Sequence, residues 1–217
     1  HAGPIQIKQI PAEAKWVIHI DVQLLLQSKL GDPIKEAAKD PRVQPKLEAV
    51  EALFSVNFLR DLQGITLWGS AANDKEVVIY IQGTCDRIKL ETIIRAVDNY
   101  RETACGAHKI SSWPDKGKIL NGCFAKDGLL VLSENQERVK LSLKAIDGGA
   151  PSIEPGLSQW QTGGRGFLFV GAVKGLQKLL EGADPNAASL KKIEDGWRGL
   201  RQNEANVVGE IAVKADT

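Results

Sequence analysis

KWVIHIDVQLLLQSKL, Lys15–Leu30, is the stretch whose reading decides the fold. Its first part alternates, with Trp16, Ile18, Ile20 and Val22 on one side of an extended chain and Val17, His19 and Asp21 on the other. Period two is the signature of a β-strand, and the more apolar side is expected to face the core. From Gln23 the pattern turns helical. That helix is expected to stop at Gly31-Asp32-Pro33, since glycine ends helices well and proline cannot continue the hydrogen-bond ladder. A similar strand-into-helix pattern returns at Arg165–Leu180, RGFLFVGAVKGLQKLL, where LQKLL answers LQSKL and Asp184-Pro185 answers Asp32-Pro33. The echo predicts a unit used twice.

Working outward, Asp40-Pro41 is expected to open a helix carrying Val43, Leu47, Val50 and Phe54 at helical spacing. Gly64–Ser70 and Glu76–Gln82 read as a hairpin turned at Asn73-Asp74. A helix over Asp86–Tyr100 places Leu90, Ile93, Ile94, Val97 and Tyr100 in one apolar stripe. Strands follow at His108–Trp113, Lys118–Ala125 and Leu129–Ser133, the last two joined by Asp127-Gly128. Ser133 and Gln136 have the spacing of a capping box for a helix with Val139, Leu143 and Ile146.

The stretch 148–165, rich in Gly, Pro and Ser, reads as a linker. Beyond it come a strand at Phe167–Val173, a helix over Gly175–Leu180 and a second helix with Leu190, Ile193, Trp197 and Leu200 on one face. The last strand is Asn206–Ala215, with Val207 and Ile211 facing in. The predicted class is therefore α+β, an antiparallel-rich sheet with helices on one face. Residues 1–147 form a first unit in ferredoxin-like, split βαβ order with an extra hairpin and helix. Residues 166–217 form a partial second copy packed on the first.

Composition limits the function. The 217 residues are 43% hydrophobic and 25% charged, the balance of an ordinary globular chain. Net charge is +1, from 28 basic and 27 acidic residues scattered along the sequence, so the basic blocks that neutralise a phosphate backbone are missing and no nucleic-acid partner is expected. No window approaches the ~18–20 apolar residues of a membrane-spanning helix. The start, His1-Ala2-Gly3 running into IQIKQIPAEAKW, has the character of what signal-peptide removal leaves, which predicts an extracytoplasmic location, periplasmic or secreted.

Few residues point to chemistry. His19 and Asp21 share the polar side of the first strand and could supply two metal ligands, or a base with its orienting carboxylate; an ordinary polar sheet face is the plainer reading. The further ligands a metal needs are not evident, so neither a metal nor a cofactor is expected. Trp68 shares a face with Thr66 opposite Ile65 and Leu67, which makes it a candidate exposed anchor for a ligand or partner; packing against a neighbouring repeat is the plainer reading. With Pro114–Gly117 as a turn, Cys123 lies near the position opposite Cys105. A Cys105–Cys123 disulfide is then one option, and three buried free thiols the other. Cys85 precedes a helix, where a thiol can become reactive through a lowered pKa. Gly163-Gly164-Arg165-Gly166 precedes a strand instead of following one, so it reads as the end of a linker and not as a phosphate loop.

At PAEAKWVIHIDV (11–22) and DLQGITLWG (61–69) the chain resembles a group of uncharacterised bacterial proteins predicted to be exported. In these a Pro-Ala-x-Ala lead-in enters a strand ending in Asp, and an Asp-Leu-x-Gly-Ile-Thr strand follows. The resemblance covers about 10–150 and implies export and a multi-domain α+β fold, with no activity attached. Together these readings predict an exported, non-enzymatic binding or structural module that engages a protein partner or a second copy of itself. The alternative is a hydrolase or metal-dependent enzyme using the polar face of strand 16–22.

Overall fold

The computed structural model describes residues 6–71, 76–126, 128–153, 167–174, 193–203 and 206–215. After a short lead-in come β1 (Trp16–Asp21), α1 (Val22–Gln27), α2 (Asp32–Ala38), α3 (Gln44–Phe54), α4 (Phe58–Asp61), β2 (Leu62–Gly69) and β3 (Val77–Gly83). Then follow α5 (Arg87–Arg95), β4 (Arg101–Cys105), β5 (His108–Asp115), β6 (Lys118–Lys126), β7 (Leu129–Ser133) and α6 (Gln136–Ile146). The chain ends with β8 (Phe169–Lys174), β9 (Ile193–Asn203) and β10 (Asn206–Ala215).

Local chemistry sets most boundaries. Asp21 ends β1 and caps α1, accepting the Leu24 N–H at 2.9 Å. Asp32-Pro33, expected as a stop, opens α2 instead, because proline fits the first helical turn where no backbone donor is needed. Pro45 does the same for α3, so that helix starts later than Asp40-Pro41 suggested. Asp86 caps α5 through the Lys89 N–H, and α5 stops at Arg95, short of Tyr100. Asn135, not Ser133, caps α6; the Ser133 hydroxyl donates to the Val77 carbonyl at 2.7 Å. A two-residue turn joins β5 to β6, with Lys116 and Gly117 both at positive φ.

All ten strands form one antiparallel sheet, ordered β10-β9-β8-β1-β2-β3-β7-β6-β5-β4. The class is thus mixed α+β, as expected. A split βαβ unit runs its first two strands parallel with another strand between them. Here β1 pairs directly with β2, antiparallel, and with β8 on its other side, so the ferredoxin-like order is not the one this sheet adopts. The expected second helix through Ile193, Trp197 and Leu200 is the strand β9. Gly196 and Gly199 weaken any helix there, and β8 and β10 satisfy the backbone on both sides. Val207 and Ile211 of β10 are exposed rather than inward. The expected turn at Asn73-Asp74, the Gly163–Gly166 stretch, Asp127 and the helix over Gly175–Leu180 lie outside the described residues.

The core lies on one side of the sheet. Val17, Trp68, Val78 and Val131 pack there beneath Val139 and Leu143 of α6, all essentially without solvent exposure. The lead-in closes the same layer. Ile10 is buried, its carbonyl accepts the Ile153 N–H, and the Tyr80 hydroxyl donates to the Gln9 carbonyl at 3.0 Å. Burying such side chains is worth ~1.5–3 kcal/mol each, far more than the local propensity differences that set helix ends. The helices do not share one face, as had been expected. α6 covers the core side, while α5 lies on the other, with Arg87 stacked 5.3 Å over the Phe124 ring and Leu90 lining a cavity together with Ile81 and Leu130.

Candidate functional site

The sequence-selected residues come together, but inside the core. Val17, His19 and Asp21 are the buried side of β1, and Trp16, Ile18 and Ile20 the half-buried side, the reverse of the hydropathy expectation. Opposite them on β2, Trp68 pairs with Val17, Thr66 with His19 and Gly64 with Asp21. Trp68, a candidate exposed anchor, is instead 0% exposed because α6 and the lead-in close over that side.

His19 Nδ1 and Thr66 Oγ1 share a hydrogen bond of 2.8 Å. The space around the ring, between Gln9, Tyr80 and Leu129, amounts to ≈ 10 Å³. That is about one water and no substrate. Asp21 is equally buried, and its carboxyl is held above the usual carboxylate range by that burial, against the pull of the Leu24 and Gln23 N–H groups. Its oxygen serves as a helix cap. Among the described residues no three His, Cys, Asp or Glu side chains gather as metal ligands.

The proposed Cys105–Cys123 bridge is not formed, and all three cysteines are free thiols. Cys105 lies on β4 and Cys123 on β6, with β5 hydrogen-bonded between them. Strands two apart are separated by about 10 Å, beyond the ~7 Å that a disulfide can span. The Cys85 thiol, expected to be lowered, is raised instead, first by burial and then by neighbouring Asp86.

What the sequence reading missed is the opposite side of the sheet. Phe169, Ile20, Ile65, Ile81, Leu130 and Phe124 stand side by side on β8, β1, β2, β3, β7 and β6, every one half-buried. Beside that row runs Gly171, Ile18, Leu67, Ile79 and Leu132. At its β8 end a shallow depression of ≈ 410 Å³ opens between Trp16, Ile18, Phe169 and Val173, with Arg198 on the rim. Trp16 is held there by donating its indole N–H to the Ala71 carbonyl at 2.9 Å. The signal was present: in GITLWGS and EVVIYIQ one alternating set carries Trp68, Val78 and Tyr80 and the other Ile65, Leu67, Val77, Ile79 and Ile81, so large apolar side chains stand on both sides, which one covered face does not require.

No protein-family model and no curated protein sequence matches the chain. Among solved structures it is similar to TP0453 in three crystal forms. Form III superposes with a TM-score of 0.57 at 8% identity, covering 98% of this chain and 80% of that one. Form IV gives 0.56 at 10% identity over 98% and 81%, and form I gives 0.52 at 11% over 98% and 78%. At such identity the likeness extends to the fold alone.

Proposed function

We propose that the protein is an exported, non-enzymatic binding module that docks an apolar partner surface on the open face of its sheet. One observation carries this reading: on the side of the sheet away from α6, Ile18, Ile20, Ile65, Leu67 and Phe169 of β1, β2 and β8 stand half-buried beside the 410 Å³ depression at Trp16 and Phe169. Apolar surface of that extent marks an interaction site more often than an idle one. Leu53 and Ile88, on α3 and α5, add exposed apolar side chains at 52% and 79%. Export is supported by the resemblance carried by PAEAKWVIHIDV and DLQGITLWG.

An internal repeat fits the same reading. Outward from the β1–β8 pair, β1-β2-β3 on one side mirrors β8-β9-β10 on the other, so the depression falls where two three-strand units meet. The occupant is a protein partner or a second copy of the chain. The test is titration with an apolar fluorescent dye such as anilinonaphthalene sulfonate. Wild type should bind it saturably, and Ile18→Lys should weaken binding about tenfold with an unchanged melting temperature. Equal binding by the folded variant would sink the proposal, and sedimentation velocity over a concentration series tells self-association from capture of another protein.

A further inference from the structure

A second cavity lies at the other end of the same row, where α5 roofs the sheet. Its inner part, ≈ 130 Å³, is lined by Val56, Leu62, Ile81, Leu90, Phe124 and Leu130. It opens into a wider mouth of ≈ 390 Å³ bordered by Gln63, Arg87 and Lys126. Two β-bulges shape this end, one at Leu62/Gly64 opposite Gly83 and one at Phe124/Lys126 opposite Leu129. Bulges concentrate beside functional sites because they end pairing and re-aim side chains. Between them Gly83 and Gly128 pack back to back. A Cβ on Gly128, at φ +72°, would come 2.6 Å from the Gly83 carbonyl oxygen.

We infer that this cavity binds a small carboxylate whose apolar body is the size of one aromatic ring or a short branched acyl group. The inner volume approaches the about 150 Å³ at which an engineered apolar cavity takes up benzene. Apart from Asp61, whose carboxylate is taken up by Arg60 and the Asn57 N–H, and from Thr84 and Cys85, the side chains lining it are aliphatic and aromatic, which selects an apolar body. The mouth selects charge. Arg87 is already fixed over Phe124, and among the described residues its ion pair is through Nε to Glu91, at 2.7 Å, which leaves its terminal N–H groups to be shared.

Lys126 borders the mouth but turns its ammonium to the Ile146 carbonyl at the end of α6, on the core side of the sheet, so the charge at the mouth comes from Arg87. Among the described residues the nearby acids are committed: Asp61 to Arg60 and the Asn57 N–H, Asp86 to capping α5, Glu91 to Arg87. Cys85 lines the throat as a half-buried thiol that burial keeps neutral, so it neither repels the anion nor attacks the ligand.

The test is isothermal titration with 3-phenylpropionate, its neutral analogue 3-phenylpropanol, and acetate. The acid should bind one site with a dissociation constant of about 0.1–1 mM, in keeping with so small a ligand. The alcohol should bind about tenfold more weakly, and acetate not at all. Arg87→Gln should reduce the preference for acid over alcohol. Leu90→Trp, on a helix with no fully buried residue, should fill the inner cavity and abolish binding at unchanged melting temperature. Absence of binding by the acid, equal binding of acid and alcohol, or retained binding by folded Leu90→Trp each overturns the inference. Because the sheet-face reading is tested at Ile18, failure at one site leaves the other result standing.

Discussion

Val17 and Trp68 lie directly opposite one another on β1 and β2, at 1% and 0% exposure. That pair fixes which side of the sheet is the core. Trp68→Ala is therefore expected to cost about 3–5 kcal/mol, the range for emptying a filled aromatic site. Trp16→Ala, one residue along β1 on the half-buried side, should cost only about 1–2 kcal/mol. Equilibrium urea unfolding of both variants measures the difference. A reversed order would mean that the covered and open faces have been exchanged.

This pair also shows what the sequence could and could not reveal. Strand identity came from period two, which is backbone geometry and survives any environment, so β1, β2, β3, β5, β6, β7, β8 and β10 were legible. Face identity is a tertiary property. On β1 the side carrying Trp16, Ile18 and Ile20 is more apolar, yet α6 and the lead-in cover the side carrying Val17, His19 and Asp21. The polar members are accommodated by local bonds, His19 to Thr66 and Asp21 to Leu24.

β9 was misread because Ile193, Trp197 and Leu200 fall at helical spacing, while its glycines and two strand partners decide the matter. The misplaced disulfide has a similar cause. Cys105 belongs to a separate strand, β4, that local patterning did not separate from β5. The cavity under α5 was not legible at all, since it is assembled from bulges and a roof rather than from a motif.

Asp21 gives a prediction with a definite sign. Burial raises its folded carboxyl pKa above the ordinary value of 3.8. Its contribution to stability is therefore fully present below pH 3.8 and is lost as pH rises through the folded value. Asp21→Asn keeps an acceptor for the Leu24 N–H without a charge. It should melt higher than wild type at pH 7, and the gap should close near pH 3. Asp21→Ala should instead lose the cap, at about 1 kcal/mol, at either pH. Thermal melts of the three proteins across that range decide it.

Glu76 runs the other way. The Ser70 hydroxyl and then the Arg138 guanidinium hold its carboxyl below the ordinary 4.5, and Arg138 also reaches Glu13 at 2.8 Å, tying the lead-in to α6. A depressed carboxylate contributes stability above its unfolded value of 4.5 that disappears as pH falls through the folded one. Glu76→Gln should be less stable than wild type by about 0.5–1.5 kcal/mol at pH 7, and the deficit should shrink toward zero by about pH 3. Urea midpoints at the two pH values check both the size and the direction.

The thiols test the strand order itself. Cys123 is 4% exposed beneath α6, and burial pushes its pKa up to about 11. A thiol reacts as its thiolate, so Cys123 in the native protein should resist an aromatic disulfide reagent at pH 8. Cys85 and Cys105 are half-exposed and should be labelled first. In denaturant, without any exposure to reductant, all three should react. A count of one would mean that two cysteines are bridged. With β5 paired between β4 and β6, the sheet holds Cys105 and Cys123 too far apart for that bond, so a Cys105–Cys123 linkage found by peptide mapping would overturn the order of the β6-β5-β4 edge.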